Sequence, residues 1–257
     1  MGKQSNEQSG ISENFWANMR QKVKAKRNTW DGARFALADV PLDPRAVKKI
    51  LPLCMRPSNP PMATIFFADY RNVAYPLFPY RETAMMVHVR TPLGSGRHCC
   101  WIIVDDDPAM ILGREMLGFP KKTGRFVFEE KKDAINASIE RRGVAVMSLR
   151  AVRGARETDP KPVLNYRTFH YGGMGQYMAI SPVWMFKPRE VIHESYSADI
   201  TLTLKDSSCD PLARLVAGGP RNGRIAIMDI PGGSPYMLPV GLSGPRVFGR
   251  TFNMRFR

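Results

Sequence analysis

The chain predicts a mainly β fold, a largely antiparallel sheet or barrel carrying a few peripheral helices. Three observations point there. Gly and Pro number 21 each in 257 residues, and so many turn formers imply many short strands. Apolar runs of strand length recur, among them the continuous CCWIIV at 99–104, as expected of a strand buried on both faces. Strands do not alternate regularly with long helices, which argues against a doubly wound parallel sheet.

The elements follow in order. Residues 1–30 are polar and include the basic run Arg20, Lys22, Lys24, Lys26 and Arg27. They read as a basic arm, with Phe15 and Trp16 able to tuck onto a second subunit. A single domain over 31–257 follows. Residues 43–51 have a proline near the start and apolar Val47, Ile50 and Leu51, the pattern of a short helix. Pro57, Pro60 and Pro61 then break the chain. Residues 63–69 and 84–90 read as strands, and Pro92, Gly94 and Gly96 mark a turn. Residues 109–117 read as a helix that runs into Gly118 and Pro120. Strands are expected at 124–128, 137–140, 144–151, 178–180, 183–186 and 225–230, with the longest at 190–204. A short helix is expected at 211–216, followed by a Gly/Pro-rich tail.

Composition excludes several classes. The hydrophobic fraction is 44% and the charged fraction 24%, an ordinary globular balance. No stretch reaches the roughly 18 apolar residues of a membrane span. The polar first ten residues lack the apolar core of a secretory signal. Cys54, Cys99, Cys100 and Cys209 contain no Cys-x-x-Cys spacing, which argues against a zinc site or disulfide framework and for reduced thiols in a cytoplasmic protein. Lys and Arg number 38 against 23 Asp and Glu, a net charge of +15. That charge raises the possibility of a non-catalytic protein that binds nucleic acid. The basic residues are dispersed, however, and no aromatic RNA-binding signature or helix-turn-helix pattern accompanies them. A solvated basic N-terminal segment is the simpler reading, and the positive field would steer small carboxylates.

The chemistry concentrates in GREMLGFPKKTG at 113–124, where Lys121 and Lys122 follow Phe119 and Pro120. Two surface lysines after a turn would be the plain reading. The segment resembles the acetoacetate decarboxylase family, through Gly113, Arg114, Glu115, Phe119, Pro120, Lys121 and Lys122. The preceding WIIVDDDPAMIL is similar to the family's strand, acidic turn and helix. Tyr80, Arg81, Glu82 and Thr83 resemble its Tyr-Thr-Glu segment. Leu164 to Tyr166, His193 to Tyr196, Leu202 to Leu204, Asp210 and Pro211 extend the similarity over roughly residues 34–230.

The resemblance implies an acetoacetate decarboxylase-like fold and a Schiff-base lyase, with Lys121 as nucleophile toward a keto acid. It implies no metal or organic cofactor, because the iminium itself is the electron sink; a homo-oligomer is expected as well. An ordinary lysine, with a pKa of about 10.4, offers about one neutral amine in 2,500 at pH 7. Burial or a neighbouring cation must therefore favour the neutral form. Repulsion from Lys122 would amount to roughly 2.8 kcal/mol at about 6 Å and a dielectric near 20. On an extended segment the two side chains point to opposite faces. Desolvation is therefore expected to be the larger effect, with Lys122 a lesser tuning neighbour.

Glu82 is the expected partner, since a carboxylate beside an iminium stabilises the cation and moves protons. The family's second glutamate falls on Phe67 here, with Asp69 nearby, and its early-strand arginine falls on Ala33 beside Arg34. Arg34 and Phe67 are candidate substrate contacts. Tyr236 in the tail is a candidate proton donor. Asp105 to Asp107 read as an acidic turn, Gly172, Gly173 and Gly175 as a plain loop, and His88, His98, His170 and His193 show no metal-ligand pairing. Decarboxylation of acetoacetate or of a larger, more apolar β-keto acid is the first functional expectation. A Schiff-base aldolase or dehydratase acting on a pyruvate-like 2-oxo acid is the alternative.

Overall fold

The structure is a computed structural model that describes residues 29–74, 76–164, 167–231 and 237–257. The basic run at 20–27, Phe15, Trp16 and Tyr236 lie outside the described residues. In chain order the elements are β1 (Trp30–Pro41), α1 (Pro44–Ile50), β2 (Arg56–Pro57), β3 (Met62–Tyr70), β4 (Asn72–Val73), β5 (Tyr80–Thr91) and β6 (Gly94–Val104). Then come α2 (Asp107–Glu115), β7 (Lys121–Thr123), β8 (Arg125–Lys131), β9 (Ala134–Arg141), β10 (Val144–Arg156), β11 (Thr168–Tyr171), β12 (Ser181–Phe186) and β13 (Val191–Leu204). A 3-10 turn (Leu212–Arg214), β14 (Arg221–Ile230), β15 (Leu238–Ser243) and α3 (Pro245–Phe256) complete them.

The strands form one 15-stranded sheet in the order β15-β12-β11-β6-β5-β3-β1-β14-β13-β10-β9-β8, with β2, β4 and β7 attached to its flanks. Among the described residues the pairings are antiparallel except β6 with β7 and β6 with β11. The mainly antiparallel expectation therefore holds, and the helices are peripheral. Residues 99–104 are buried throughout, because the central strands carry a core on each face. Phe67, Met85, Val87, Trp101 and Ile103 belong to one core. Phe35, Phe66, Ala84, Met86 and Ile102 belong to the other. Residues adjacent in sequence thus alternate between cores, as the period-2 geometry of a strand requires.

Helix starts follow local chemistry. The Asp43 side chain caps α1 through the N–H groups of Arg45 and Ala46, and Pro44 sits in the first turn. The Asp106 side chain likewise caps α2 by accepting from Ala109 N–H at 2.8 Å. Asp105 accepts from the Arg81 N–H at 2.6 Å, so the acidic turn stitches β6 to β5 and opens a helix.

Three expectations need correction. Residues 178–180 form a tight turn bridged by Tyr177 and Ile180, with Met178 at φ 50°, rather than a strand. The tail contains α3, whose aromatic residues and Gly249 are poor helix formers; burial of Val247, Thr251 and Met254 stabilises it instead. Residues 30–41 form a twelve-residue strand, so Trp30 belongs to the sheet. Among the described residues, no helix is long and apolar enough to cross a membrane.

Two buried imidazoles couple this fold to pH. The Nδ1–H of His98 donates to the Phe169 carbonyl at 2.9 Å, and His170 stacks on Phe119 with ring centroids 4.4 Å apart. Burial, above all, lowers their pKa values to about 4 for His98 and about 3 for His170. The unfolded chain, with histidines near 6.5, binds more protons as pH falls below that value. Each histidine should then remove up to about 1.4 kcal/mol of stability per pH unit down to its folded pKa. Urea unfolding at pH 7, 6, 5 and 4.5 checks this: the unfolding free energy should fall steadily below pH 6.5, and His98→Gln should lessen the slope.

Candidate active site

The parallel pairing of β7 with β6 decides where the two lysines go. Lys121 lies opposite Ile102 and Lys122 opposite Ile103. Ile102 faces one core and Ile103 the other, so the lysine side chains diverge with them. The turn that delivers β7 is held by Phe119 N–H on the Gly113 carbonyl at 3.0 Å and Lys121 N–H on the Phe119 carbonyl at 2.8 Å. Gly118 supplies the positive φ of 72° that this turn needs. Arg114 on α2 donates to the Lys121 carbonyl at 2.8 Å, fixing the strand against the helix.

Lys121 enters a cavity between the sheet and α2. Its ammonium donates to Glu82 Oε2 at 2.7 Å, and both side chains are below a tenth exposed. Glu82 comes from β5, where Tyr80, Glu82 and Met86 share one face and line the cavity. The Tyr70 hydroxyl donates to the other oxygen, Glu82 Oε1, at a long 3.4 Å. The Lys121 ammonium also lies 5.5 Å from the centre of the Tyr80 ring, and Trp30 Nε1 donates to the Tyr80 hydroxyl at 3.1 Å. Burial, and next the Glu82 charge, push both phenols well above the usual tyrosine range. Apart from Thr168, the rest of the lining is apolar: Phe66, Leu77, Ile102, Leu112, Phe119, Leu164, Phe186 and Ile230 among others. Among the described lining residues, Lys121 and Glu82 are the charged groups.

Lys122 goes the opposite way, into a polar knot beneath the strand. Its ammonium donates to Asp210 Oδ1 at 2.6 Å and to the Asn253 carbonyl at 3.2 Å. Asp210 also accepts from Trp101 Nε1 at 2.7 Å and from Arg141 Nε at 3.1 Å. Arg141 in turn donates to the carbonyls of Thr123 and Arg257. The knot ties the end of α3 under β7. Its two ends shift differently. Burial raises the carboxyl of Asp210, but Lys122 and the other donors outweigh it and hold the group below the usual range. Burial lowers Lys122 to about 8, only partly opposed by Asp210. We regard Asp210 as firmly ionised because three donors converge on it. Lys122 is the weaker end, since it shares that carboxylate with Arg141.

The structure therefore brings Lys121 and Glu82 together and sends Lys122 to a separate carboxylate. It does not bring Arg34 or Phe67 to the cavity. Arg34 forms an ion pair with Glu130 at 2.8 Å, without hydrogen-bond alignment at Nε, and donates to the Gly32 carbonyl. Its neighbours Ala33 and Phe35 face the core on the cavity side. Phe67 packs edge-on against Phe126 in the other core, and Phe66 lines the cavity instead. A single residue of offset on a strand reverses the face. Trp30, Phe66, Tyr70 and Asp210 have site roles that the sequence reading did not assign. Tyr80 and Met86 were accessible through the period-2 spacing from Glu82. Trp30 and Tyr70 lie on other strands, and no local signal connects them.

The family model for acetoacetate decarboxylase matches residues 17–235, and the chain belongs to this family. An acetoacetate decarboxylase from Chromobacterium violaceum is 26% identical over 98 residues, which are 38% of this chain and 39% of the relative. The matched stretch thus spans well under half of that relative. The crystal structure of acetoacetate decarboxylase from Legionella pneumophila superposes with a TM-score of 0.71 at 17% identity, covering 82% of this chain and 84% of that one. The enduracididine biosynthesis enzyme MppR, complexed with pyruvate, gives 0.67 at 15% identity, covering 79% and 88%. An acetoacetate decarboxylase-like enzyme from Sphingomonas wittichii gives 0.63 at 14%, covering 84% and 95%. At these identities the likeness establishes the fold.

Two outcomes follow from this geometry. A Cβ on Gly113 would sit 2.5 Å from Lys121 Cδ and 2.6 Å from Cε, so the lysine packs across the helix only because position 113 lacks a side chain. Gly113→Ala should leave the far-ultraviolet circular dichroism spectrum intact while displacing Lys121, so that labelling of Lys121 by an amine-reactive reagent, read by peptide mass spectrometry, should change severalfold. For Lys122, the unfolded chain holds a proton between about pH 8 and 10.5 that the folded chain has released. Stability from this group alone rises with pH across that window. Lys122→Met should flatten that segment of the stability curve, as read by denaturant titrations between pH 7.5 and 10.5.

Proposed function

We propose that the chain is a carbon–carbon lyase that decarboxylates a β-keto acid through an iminium on Lys121. The observation carrying this reading is the buried Lys121–Glu82 contact at 2.7 Å in an otherwise apolar cavity. Glu82 accepts a proton from the Lys121 ammonium, and the freed amine adds to the ketone carbon. Glu82 then returns the proton to the departing oxygen, water leaves, and a protonated imine faces the Glu82 carboxylate. The bond from the α-carbon to the carboxylate breaks, its electron pair moves to the iminium, and CO2 departs from a neutral enamine. Water protonates the enamine carbon, and hydrolysis frees the ketone and Lys121. The net change consumes one proton and releases ketone and CO2.

The cavity favours the bond-breaking step. An iminium and a carboxylate become two neutral fragments, and apolar walls stabilise neutral species over charged ones. Pyruvate bound to the fold relative MppR supports a second reading, an aldolase or dehydratase acting on a 2-oxo acid. Such a substrate keeps its carboxylate throughout. Once Lys121 is an imine, the described lining offers that carboxylate no other cation.

Acetoacetate with borohydride should leave a mass increment on Lys121, and incubation without borohydride should release acetone. Lys121→Ala should abolish both. Lys122→Ala should retain the adduct while losing roughly 3 kcal/mol of stability with its buried pair. Glu82→Gln should lower kcat by about 10²–10⁴. Coupled product from pyruvate plus an aldehyde, with no CO2 from any β-keto acid, would favour the second reading instead.

A further inference from the structure

Resting on the Lys121 lyase reading, we infer that the physiological substrate is a β-keto acid with an extended, uncharged apolar tail. Acetoacetate fills too little of the site. The tail lies along β5, from the Lys121–Glu82 contact past Phe66 and Ile102 to Met86.

The sheet supplies the ruler. Glu82 and Met86 both line the cavity, and four residues of antiparallel strand separate them by about 13 Å. The intervening level is built by Ala84, whose register partners are Phe66 on β3 and Ile102 on β6. Both partners line the cavity. Thr168 extends the lining further. It lies opposite Arg97, which lies opposite His88, two residues beyond Met86. Acetoacetate spans less than half of this length.

Volume agrees with length. The cavity holds about 170 Å³, and each water-sized group needs only about 10–15 Å³ on the same measure. That leaves room for several carbons beyond those of acetoacetate. Charge sets the character of the tail. Among the described residues, Lys121 and Glu82 account for the charges of the lining. The Lys121 cation becomes the iminium, and its charge is cancelled when the substrate carboxylate leaves as CO2. A second carboxylate beside Phe66, Met86 or Leu164 would meet apolar walls at a high desolvation cost; Arg97, opposite Thr168, lies outside the lining. The tail is therefore alkyl or aryl where it passes Phe66, Ile102 and Met86.

The experiment uses the full chain with two series. In the first, 2-alkanones from acetone to 2-nonanone compete for borohydride trapping on Lys121. In the second, kcat/KM is measured for 3-oxobutanoate, 3-oxohexanoate, 3-oxooctanoate and a 3-oxo diacid of matching length. Half-saturation for trapping should fall, and kcat/KM should rise, by about fourfold per added methylene over the first few carbons, the ratio that burial of one CH2 gives. The diacid should fall at least a hundredfold below its monoacid. Met86→Trp should fill the far end and lower the ratio of 3-oxooctanoate to 3-oxobutanoate turnover by more than tenfold. Met86→Phe, a smaller intrusion, should lower it by an intermediate amount if the tryptophan variant does not fold. A flat or falling dependence on tail length, with the Lys121 adduct intact, would overturn this inference and leave the lyase reading standing. Absence of a Lys121 adduct with every ketone would overturn both.

Discussion

The short parallel pairing of β7 against β6 is the constraint on which the site depends. Three residues of strand, Lys121–Thr123, adopt the alternation of their neighbour. Two lysines adjacent in sequence therefore end in different solvents. One reaches an apolar cavity and a single carboxylate. The other reaches a buried knot of carbonyls, Arg141 and Asp210. A helical conformation over the same residues would put both ammonium groups on neighbouring parts of one surface, and neither environment would form.

That division separates chemistry from support. The Lys122 knot joins β7, β9 and the end of α3 through Asp210 and Arg141. Arg114 does the same from the other side, donating to the Lys121 and Arg255 carbonyls. The backbone on both sides of the proposed nucleophile is thus tethered to two helices. Such rigidity matters for an amine that must meet a carbonyl carbon at a defined angle, where displacements near 1 Å cost large factors in rate. The tuning role expected for Lys122 becomes, in this geometry, a structural one: its charge is spent on Asp210.

The cavity also explains why one carboxylate suffices for the proposed reaction. Glu82 touches Lys121 directly and is held from behind by Tyr70. It can therefore take and return the protons of imine formation without a second acid. The position where the family resemblance led to a second glutamate carries Phe67, which packs into the opposite core against Phe126. Phe66, on the cavity side, adds apolar surface to the lining.

Much was legible in the sequence. Turn residues and apolar runs determined the element types, because each is written within a few neighbouring residues: Pro44 at a helix start, the acidic turn at 105–107, the unbroken CCWIIV. The lysine motif and Glu82 were readable for the same reason, as local patterns carried by a family resemblance. Tertiary structure decided the rest. Which face Arg34 and Phe67 occupy depends on a one-residue offset, and a sequence resemblance at low identity does not resolve that on a period-2 strand. The helix at 245–256 forms against its own propensities because the core buries Val247 and Met254. Tyr70 meets Glu82, and Asp210 meets Lys122, across twelve and 88 residues of chain. Contacts of that kind come from sheet register and strand order, the long-range pairings that no local run of residues encodes.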